Sequence, residues 1–518
     1  MRKPRVAPLV LAAAVLAAPV AAGPAAADDA APIASFARAP AAPPRAPLAF
    51  AIQDDSEFLG HPERLQRNMA EVRALGFTHV RLSAHWDQLT REPHSRTRPR
   101  FAAASPGGYE QERWRALDRA VEVATAHGLQ VMVDVAFFAP LWATAGHPPG
   151  EARPRNRVDP RAFADFAVAV AQRYSGRFAA SPHAPRALPR IAALTLWNEP
   201  NLAVFWSPQR RMLPGGRIAL DSPHAYRRLA ARAYAAVKRN RPELQVLVGG
   251  LASGPAWAPT ARKAGIPALR FLREMACVDA ALRPLRTPDC RDFRAVPGDG
   301  LAVHPYVLGH APDFRPAGAR ADTLTMGNLD TLSGLLAGLA ARGRIAPALQ
   351  DVYLTEFGYL TDSPTLDGRG LRNAFPKVEL DSQAIFETRA HELAWSRPRV
   401  RMFAHFLMRD TLCADDAGPE CIDWPSGLRF ADGTPKPVEA TLEAAVYRHP
   451  RADGDVDLWG RLGSDEVRRR AVLEYREDGE WRAVRQDQVR RFAGGGADGI
   501  FSVRLGGLSA REFRIGVR

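Results

Sequence analysis

Two glutamates stand where apolar runs stop. Residues 191 to 197 have the length and composition of a buried strand, and the run breaks at Asn198, Glu199 and Pro200, a proline that cannot continue a central ladder. A second apolar run, Asp351 to Thr355, leads into Glu356 and is followed closely by Gly358. A carboxylate at the mouth of a buried strand is costly, and proteins keep such groups mostly where ionisation is used. A single Asn-Glu-Pro could equally be a surface turn after a core strand. Two such strand ends in one chain favour chemistry, with one carboxylic acid to give a proton and one carboxylate to attack or to activate water.

That pair is what cleavage of a glycosidic bond needs. The segment Trp197-Asn-Glu-Pro-Asn-Leu202 with Phe205-Trp206, taken with Glu356, resembles glycoside hydrolase clan A. Within the clan it is most similar to family 39, the beta-xylosidases and alpha-L-iduronidases, with features like those of cellulase family 5, over roughly residues 48 to 446. The resemblance implies Glu199 as acid/base at the end of a fourth barrel strand and Glu356 as nucleophile at the end of a seventh. It also implies that Arg81 holds the nucleophile ionised, that Asn198 meets the sugar 2-hydroxyl, and that His304 and Tyr306 of His-Pro-Tyr line the site. Each has a plainer reading: an ion pair in the barrel floor for Arg81, a turn residue for Asn198, a core histidine for His304. One departure stands out. Many clan members carry a tryptophan at the end of strand eight, where this chain reads His405-Phe-Leu-Met-Arg409-Asp410.

Sugars are gripped by aromatic faces as well as by hydrogen bonds. Trp86, Phe138, Trp142, Phe205, Trp206, Phe357 and Tyr359 fall at expected strand ends; Trp86, Trp142 and Trp206 are taken as substrate-binding and the rest could be core.

The elements that must position these residues alternate. Strands are expected at 48–52, 79–83, 130–135, 191–197, 244–248, 300–303, 352–355 and 400–407. Helices are expected at 61–75, 109–127, from Asp159-Pro160, from Ser222-Pro223, and at 268–277, 329–341, 382–395 and 438–447. Gly76 and Gly128 stand where helix C-termini want them, and Asp159 and Ser222 precede prolines as N-caps do. Eight strands and eight helices in strict alternation predict a (β/α)8 barrel, with an open doubly wound sheet as the alternative. Long loops at 137–158, 252–267, 278–299 and 358–380 would fall mostly on the face where a barrel keeps its active site.

At 518 residues with 46% hydrophobic side chains, one barrel plus a small module accounts for the chain. Residues 1–27, with Arg2, Lys3 and Arg5 ahead of an Ala/Val/Leu stretch and Ala25-Ala-Ala27 before Asp28, read as a secretory signal. Pro8 and Pro19 and the short run argue against a membrane span. Residues 28–47 read as an Ala/Pro-rich linker, 48–448 as the barrel and 449–518 as a β-sandwich of short alternating runs. The formal charge of +14 is mostly arginine dispersed along the chain, so no nucleic-acid partner is expected, although an acidic glycan would suit the sign. Four cysteines fall in two close pairs, and in an exported chain Cys277 with Cys290 and Cys413 with Cys421 are the favoured disulfides. Their spacings of thirteen and eight residues do not match zinc knuckles. The expectation is therefore a secreted, retaining glycoside hydrolase with a carbohydrate substrate and neither metal nor organic cofactor. A transglycosylase would use the same residues, and a non-catalytic glycan-binding barrel would lack one carboxylate.

Overall fold

The computed structural model describes residue 33 and residues 47–146, 153–181, 186–254, 265–363, 371–414, 421–494 and 499–517. The expected signal and nearly all of the linker lie outside the described residues, as do parts of three of the long loops. By internal contacts the chain divides into two compact units, residues 46–378 with 393–434, and residues 1–45, 379–392 and 435–518.

The larger unit holds eight parallel strands: β1 (Ala49–Gln53), β2 (His79–His85), β3 (Gln130–Ala136), β4 (Ala193–Leu196), β5 (Gln245–Ala252), β6 (Gly300–His304), β7 (Val352–Phe357) and β8 (Val400–Phe406). They close into a barrel in the order β1-β8-β7-β6-β5-β4-β3-β2, which excludes the open sheet. Along the chain the strands alternate with α1 (Leu65–Ala74), α2 (Arg115–Ala126), α3 (Pro160–Arg173), α4 (Ser222–Asn240), α5 (Ala268–Met275), α6 (Leu329–Ala341), α7 (Leu380–Trp395) and α8 (Pro437–Glu443). The fold is a (β/α)8 barrel. Asp159 caps α3, its side chain accepting from the Arg161 N–H, whereas the cap residue of α4 is Asp221 and Ser222 is the first helical residue.

The layering of the barrel explains why polar residues can sit on its strands at all. Ala51, Met132, Ala193, Leu247, Ala302, Met402 and Ala404 fill the interior as one buried cluster, with Ala49 and Tyr353 against it. Side chains alternate along a strand, so positions two further on face the same way. Those positions are Gln53, Asp134, Thr195, His304 and Thr355, and Arg81 joins them. An apolar floor is thus topped by a polar layer at the C-terminal ends of the strands, where barrels build their sites.

Two irregularities set the rim. Between Leu354 and Phe357, β7 has three residue steps against two of β8 from Phe403 to His405. Between Gly249 and Leu251, β5 has two steps against one of β6. Extra residues of this kind bend a strand and re-aim a side chain, often beside active sites. The first falls at Glu356. The second puts Gly250 O where it accepts the Glu199 N–H at 2.8 Å.

In the second unit α8 ends at Glu443, and Ala444–Pro450, which the sequence reading had put partly in a helix, is a strand. The apolar spacing of Val438, Leu442 and Val446 fits a helix, but residues 444–450 pair along their whole length with Val456–Leu462. Two antiparallel sheets follow. One joins β9 (Ala444–Pro450), β10 (Val456–Leu462), β14 (Ile500–Leu505) and β13 (Val489–Gly494); the other joins β12 (Glu480–Ala483), β11 (Ala471–Glu477) and β15 (Phe513–Val517). Their shared core includes Leu458, Leu473, Phe492, Phe501 and Phe513, and also Ile33. A residue of the expected linker is therefore part of this core. No helix among the described residues is long and apolar enough to cross a membrane.

Candidate active site

Arg81 is the hub. Its guanidinium, 1% exposed, donates from Nη1 to Glu356 Oε1 at 2.6 Å and to Gln53 Oε1, and from Nη2 to Asp134 Oδ2 at 2.8 Å and Asn198 Oδ1 at 3.1 Å. Thr195 Oγ1 donates to the other oxygen of Asp134. A buried cation thus spans β1, β2, β3, the β4 end and the β7 end, in the fork geometry that suits guanidinium and carboxylate.

Glu199 does not sit on a strand. The chain turns sharply after β4, with positive φ at Trp197 (70°) and Glu199 (44°), a conformation that side-chain-bearing residues adopt uncommonly. What holds it is the β5 irregularity. Gly249 and Gly250 have φ of 115° and 56°, and a Cβ at Gly249 would lie 2.5 Å from Ala302 O while one at Gly250 would lie 3.1 Å from Trp197 O. Gly249→Ala should therefore cost about 1 to 3 kcal/mol of stability and lower activity, read by thermal melting and by kcat on the best substrate.

His304 bridges the two acids. Its Nδ1 lies 2.9 Å from Glu199 Oε1 and 3.5 Å from Glu356 Oε2, and its Nε2 meets Thr355 Oγ1 at 3.1 Å. Tyr306 donates its hydroxyl to Glu356 Oε2 at 3.4 Å. One carboxylate oxygen from each glutamate and a His304 ring nitrogen all fall within 4.8 Å of one another.

The environments of the acids differ. Burial pushes the Glu199 carboxyl up to about 8, with only the charge of Arg81 opposing it. Burial also raises Glu356, but the Arg81 charge and hydrogen bond pull it back. Burial lowers His304 to about 4, so the ring is neutral at working pH, and it raises the Tyr306 hydroxyl, which keeps its proton.

Of the residues singled out in the sequence, Arg81, Asn198, Glu199, His304, Tyr306 and Glu356 come together. Two of the three tryptophans, Trp86 and Trp206, are too buried to offer a face to a sugar. Trp86 is fully buried and stacks on Phe166 at 5.6 Å with Phe163 at its edge, because the turn after β2 folds it back against α3. Trp206 is 1% exposed, edge-on to Trp197 at 5.3 Å and to Tyr226 at 6.2 Å. Trp142 is partly open, but its indole N–H goes to Arg91 O and Arg98 covers its ring. Trp86 and Trp206 thus pack the layer between the strand ends and the helices.

An aromatic side chain that packs on site residue Tyr306 is Trp424, which the sequence reading missed. Its ring is edge-on to Tyr306 at 6.0 Å, to Phe375 at 5.6 Å and to Phe406 at 6.2 Å. Both disulfides are present, Cys277–Cys290 and Cys413–Cys421, and the second anchors the chain three residues before Trp424. Trp424 N donates to Thr411 O at 2.7 Å and the neighbouring Asp423 carboxylate accepts from the Cys413 N–H at 2.6 Å. Replacing Cys413 and Cys421 by serine removes a closed loop worth about 2.5 kcal/mol by chain entropy. The variant should melt lower and show a raised KM, measured by calorimetry and steady-state kinetics. The Cys-Ile-Asp-Trp-Pro run after a paired cysteine was the available signal. Asp134 had one too, as the lone acid inside an apolar strand, and Gln53 ends an apolar strand in the same way.

No protein-family model matches the sequence, and no curated protein sequence matches it. Among solved structures the chain is similar to a family 39 glycoside hydrolase from the gut symbiont Bacteroides cellulosilyticus WH2, at 17% identity over 91% of this chain and 81% of that one, with a TM-score of 0.47. It is similar to a GH5_18 from Streptomyces cattleya in complex with GlcNAc, at 18% identity over 77% and 80%, TM-score 0.44. A third is beta-glycosidase BGL167, at 17% identity over 77% and 95%, TM-score 0.41. Likenesses this distant carry no weight for the reaction, and the fold rests on the strand pairing described above.

Proposed function

We propose that the protein is a secreted, retaining glycoside hydrolase that cleaves O-glycosidic bonds of an oligo- or polysaccharide by double displacement. The observation that carries this reading is the carboxylate pair: an oxygen of Glu199 and one of Glu356 within 4.8 Å, held in different environments. Nearest oxygens this close suit direct attack by one carboxylate, as in enzymes whose carboxyl groups stand about 5 to 5.5 Å apart.

Glu356, ionised and oriented by Arg81 and Tyr306, attacks the anomeric carbon while Glu199 gives its proton to the departing oxygen. Glu199, now a carboxylate, takes a proton from the water that releases the sugar from Glu356. His304 holds Glu199 by the 2.9 Å bond whichever of the two carries the proton. Asn198, its Oδ1 engaged by Arg81, has its NH2 group to donate to the sugar 2-hydroxyl.

Turnover then needs Glu356 deprotonated and Glu199 protonated. The profile of kcat/KM against pH should be a bell whose alkaline limb falls near pH 8, as Glu199 loses its proton, and whose acid limb lies above the ordinary glutamate value. The same shift bears on stability. A carboxyl whose folded pKa is raised stabilises fully below the unfolded value and loses that contribution as pH rises toward about 8. Glu199→Gln should therefore melt higher than the parent at pH 7, by a few kcal/mol at most, and no higher at pH 4. A scan of melting temperature against pH for both proteins checks the sign.

Glu199, His304 and Glu356 also converge as metal ligands would. Arg81 at 2.6 Å from Glu356 and the proton on Glu199 both oppose a cation there, so a chelator should leave the rate unchanged. The test of the reading as a whole is a screen of the purified full chain against aryl glycosides and polysaccharides. Hydrolysis of at least one supports it; glycan binding with no cleavage would instead favour a non-catalytic barrel. Export is supported by the leader sequence and the two disulfides, and N-terminal sequencing of secreted material should start near Asp28.

A further inference from the structure

On the nucleophile's flank of the site lies a charged pair that the mechanism above does not use. Asp55 opens the short helix Asp55–Leu59 just after β1, and His85 ends β2. Both side chains are partly open, 24% and 22% exposed. They connect to the reacting centre through a chain of contacts: Asp55 Oδ2 to Gln53 Nε2 at 3.4 Å, Gln53 Oε1 to Arg81, and Arg81 to Glu356.

The pair is under-used as a structural clasp. Asp55 Oδ1 accepts the Ser83 N–H at 3.0 Å, while Oδ2 has the long approach of Gln53 and stands 3.8 Å from His85 Nε2. That last distance is too long for a direct hydrogen bond, and a carboxylate has about four acceptor positions to fill. His85 is fixed on its other side, Nδ1 lying 3.2 Å from Phe137 O, with the Phe137 ring edge-on at 5.0 Å. Burial tends to lower His85, but the neighbouring carboxylates of Asp55 and Asp87 outweigh that and raise it. The His85 imidazole and the Asp55 carboxylate thus face each other 3.8 Å apart. One hydroxyl oxygen set to the side of that line reaches both atoms, accepting from His85 Nε2 and donating to Asp55 Oδ2 as a bridging water would, with the Phe137 ring packed on His85 to offer an apolar face to a sugar.

We infer that Asp55 and His85 bind a ring hydroxyl of the glycone and select a neutral sugar over a uronic acid. The inference rests on the glycosidase reading of Glu199 and Glu356 and deepens it. Neutrality follows from the charges in this network. Its permanent cation, Arg81, already faces the carboxylates of Asp134 and Glu356, and His85 faces that of Asp55. Neither is left to meet a sugar carboxylate, and Asp55 adds a negative charge beside the bridged position.

The experiment uses the full chain and nitrophenyl glycosides: glucoside, mannoside, galactoside, xyloside and glucuronide, with deoxy analogues of whichever is cleaved best. Asp55→Asn keeps an oxygen for the Ser83 N–H, and His85→Gln is the second variant. Each should lose about tenfold to a hundredfold in kcat/KM, mainly through KM. Wild type should lose a similar factor on the one deoxy analogue that lacks the bridged hydroxyl, and on that analogue the variants should show no further loss. Preference for the glucuronide, a wild type indifferent to every deoxy substitution, or variants equally impaired on all analogues would overturn the inference while leaving the glycosidase reading intact. A wild type that cleaves no glycoside would remove both.

Discussion

Glu356→Gln should abolish turnover on every glycoside, with kcat down by at least about 10⁴-fold. The amide is nearly the same size and can still meet Arg81 and Tyr306, so the barrel should fold and the sugar should bind; what is lost is the negative charge that attacks the anomeric carbon. Because the first step itself fails, the loss should not depend on the leaving group, and nitrophenyl and alkyl glycosides should suffer alike. Single-turnover kinetics on both kinds of substrate make the comparison. A variant that retained activity on good leaving groups would show that position 356 is not the nucleophile.

Glu199→Ala should behave differently, and the difference separates the two roles. Without the acid, glycosides of poor leaving groups should slow by about 10² to 10⁴-fold, whereas an activated aryl glycoside needs no proton and should still form the glycosyl-enzyme. Release of the sugar then lacks its general base. The intermediate should accumulate, visible as a burst and as a mass increase on the protein, and added azide should restore turnover because a small anion fits the space left by the side chain and needs no deprotonation. Azide rescue at position 356 in place of 199 would reverse the assignment.

How far these roles could be read in advance depends on which physical signal each residue leaves in the chain. The eight barrel strands are legible because each is a short apolar run bounded by polar residues, and the two glutamates because each ends one. The hub is partly legible. Arg81 interrupts an apolar strand, and so does Asp134, yet Asp134 was passed over although the two form one ion pair across β2 and β3.

Other features leave no local trace. The extra residues in β5 and β7 that aim Glu199 and Glu356 are facts of register between neighbouring strands, fixed only when the barrel closes. The strand Ala444–Pro450 carries apolar residues at helical spacing and is decided by its pairing with β10. The tryptophans show the same limit from the other side. Trp86 and Trp206 occur at strand ends, where a sugar platform is expected, but a large ring at that position can turn either toward the cleft or back against a helix. Both turn back. Trp424 reaches the Tyr306 side of the site from a loop more than a dozen residues past β8, where only its proximity to a disulfide hinted at a fixed position.

The account stands most directly on the stereochemistry of the product. Hydrolysis of the best cleaved glycoside is followed by proton NMR from the first minutes, before the released sugar mutarotates, and the anomeric signal that appears first is compared with that of the substrate. Two successive displacements at Glu356, with one oxygen of each acid within 4.8 Å of the other, predict that the substrate's configuration is kept; first appearance of the opposite anomer would mean that water attacks directly, and would contradict the nucleophilic role of Glu356.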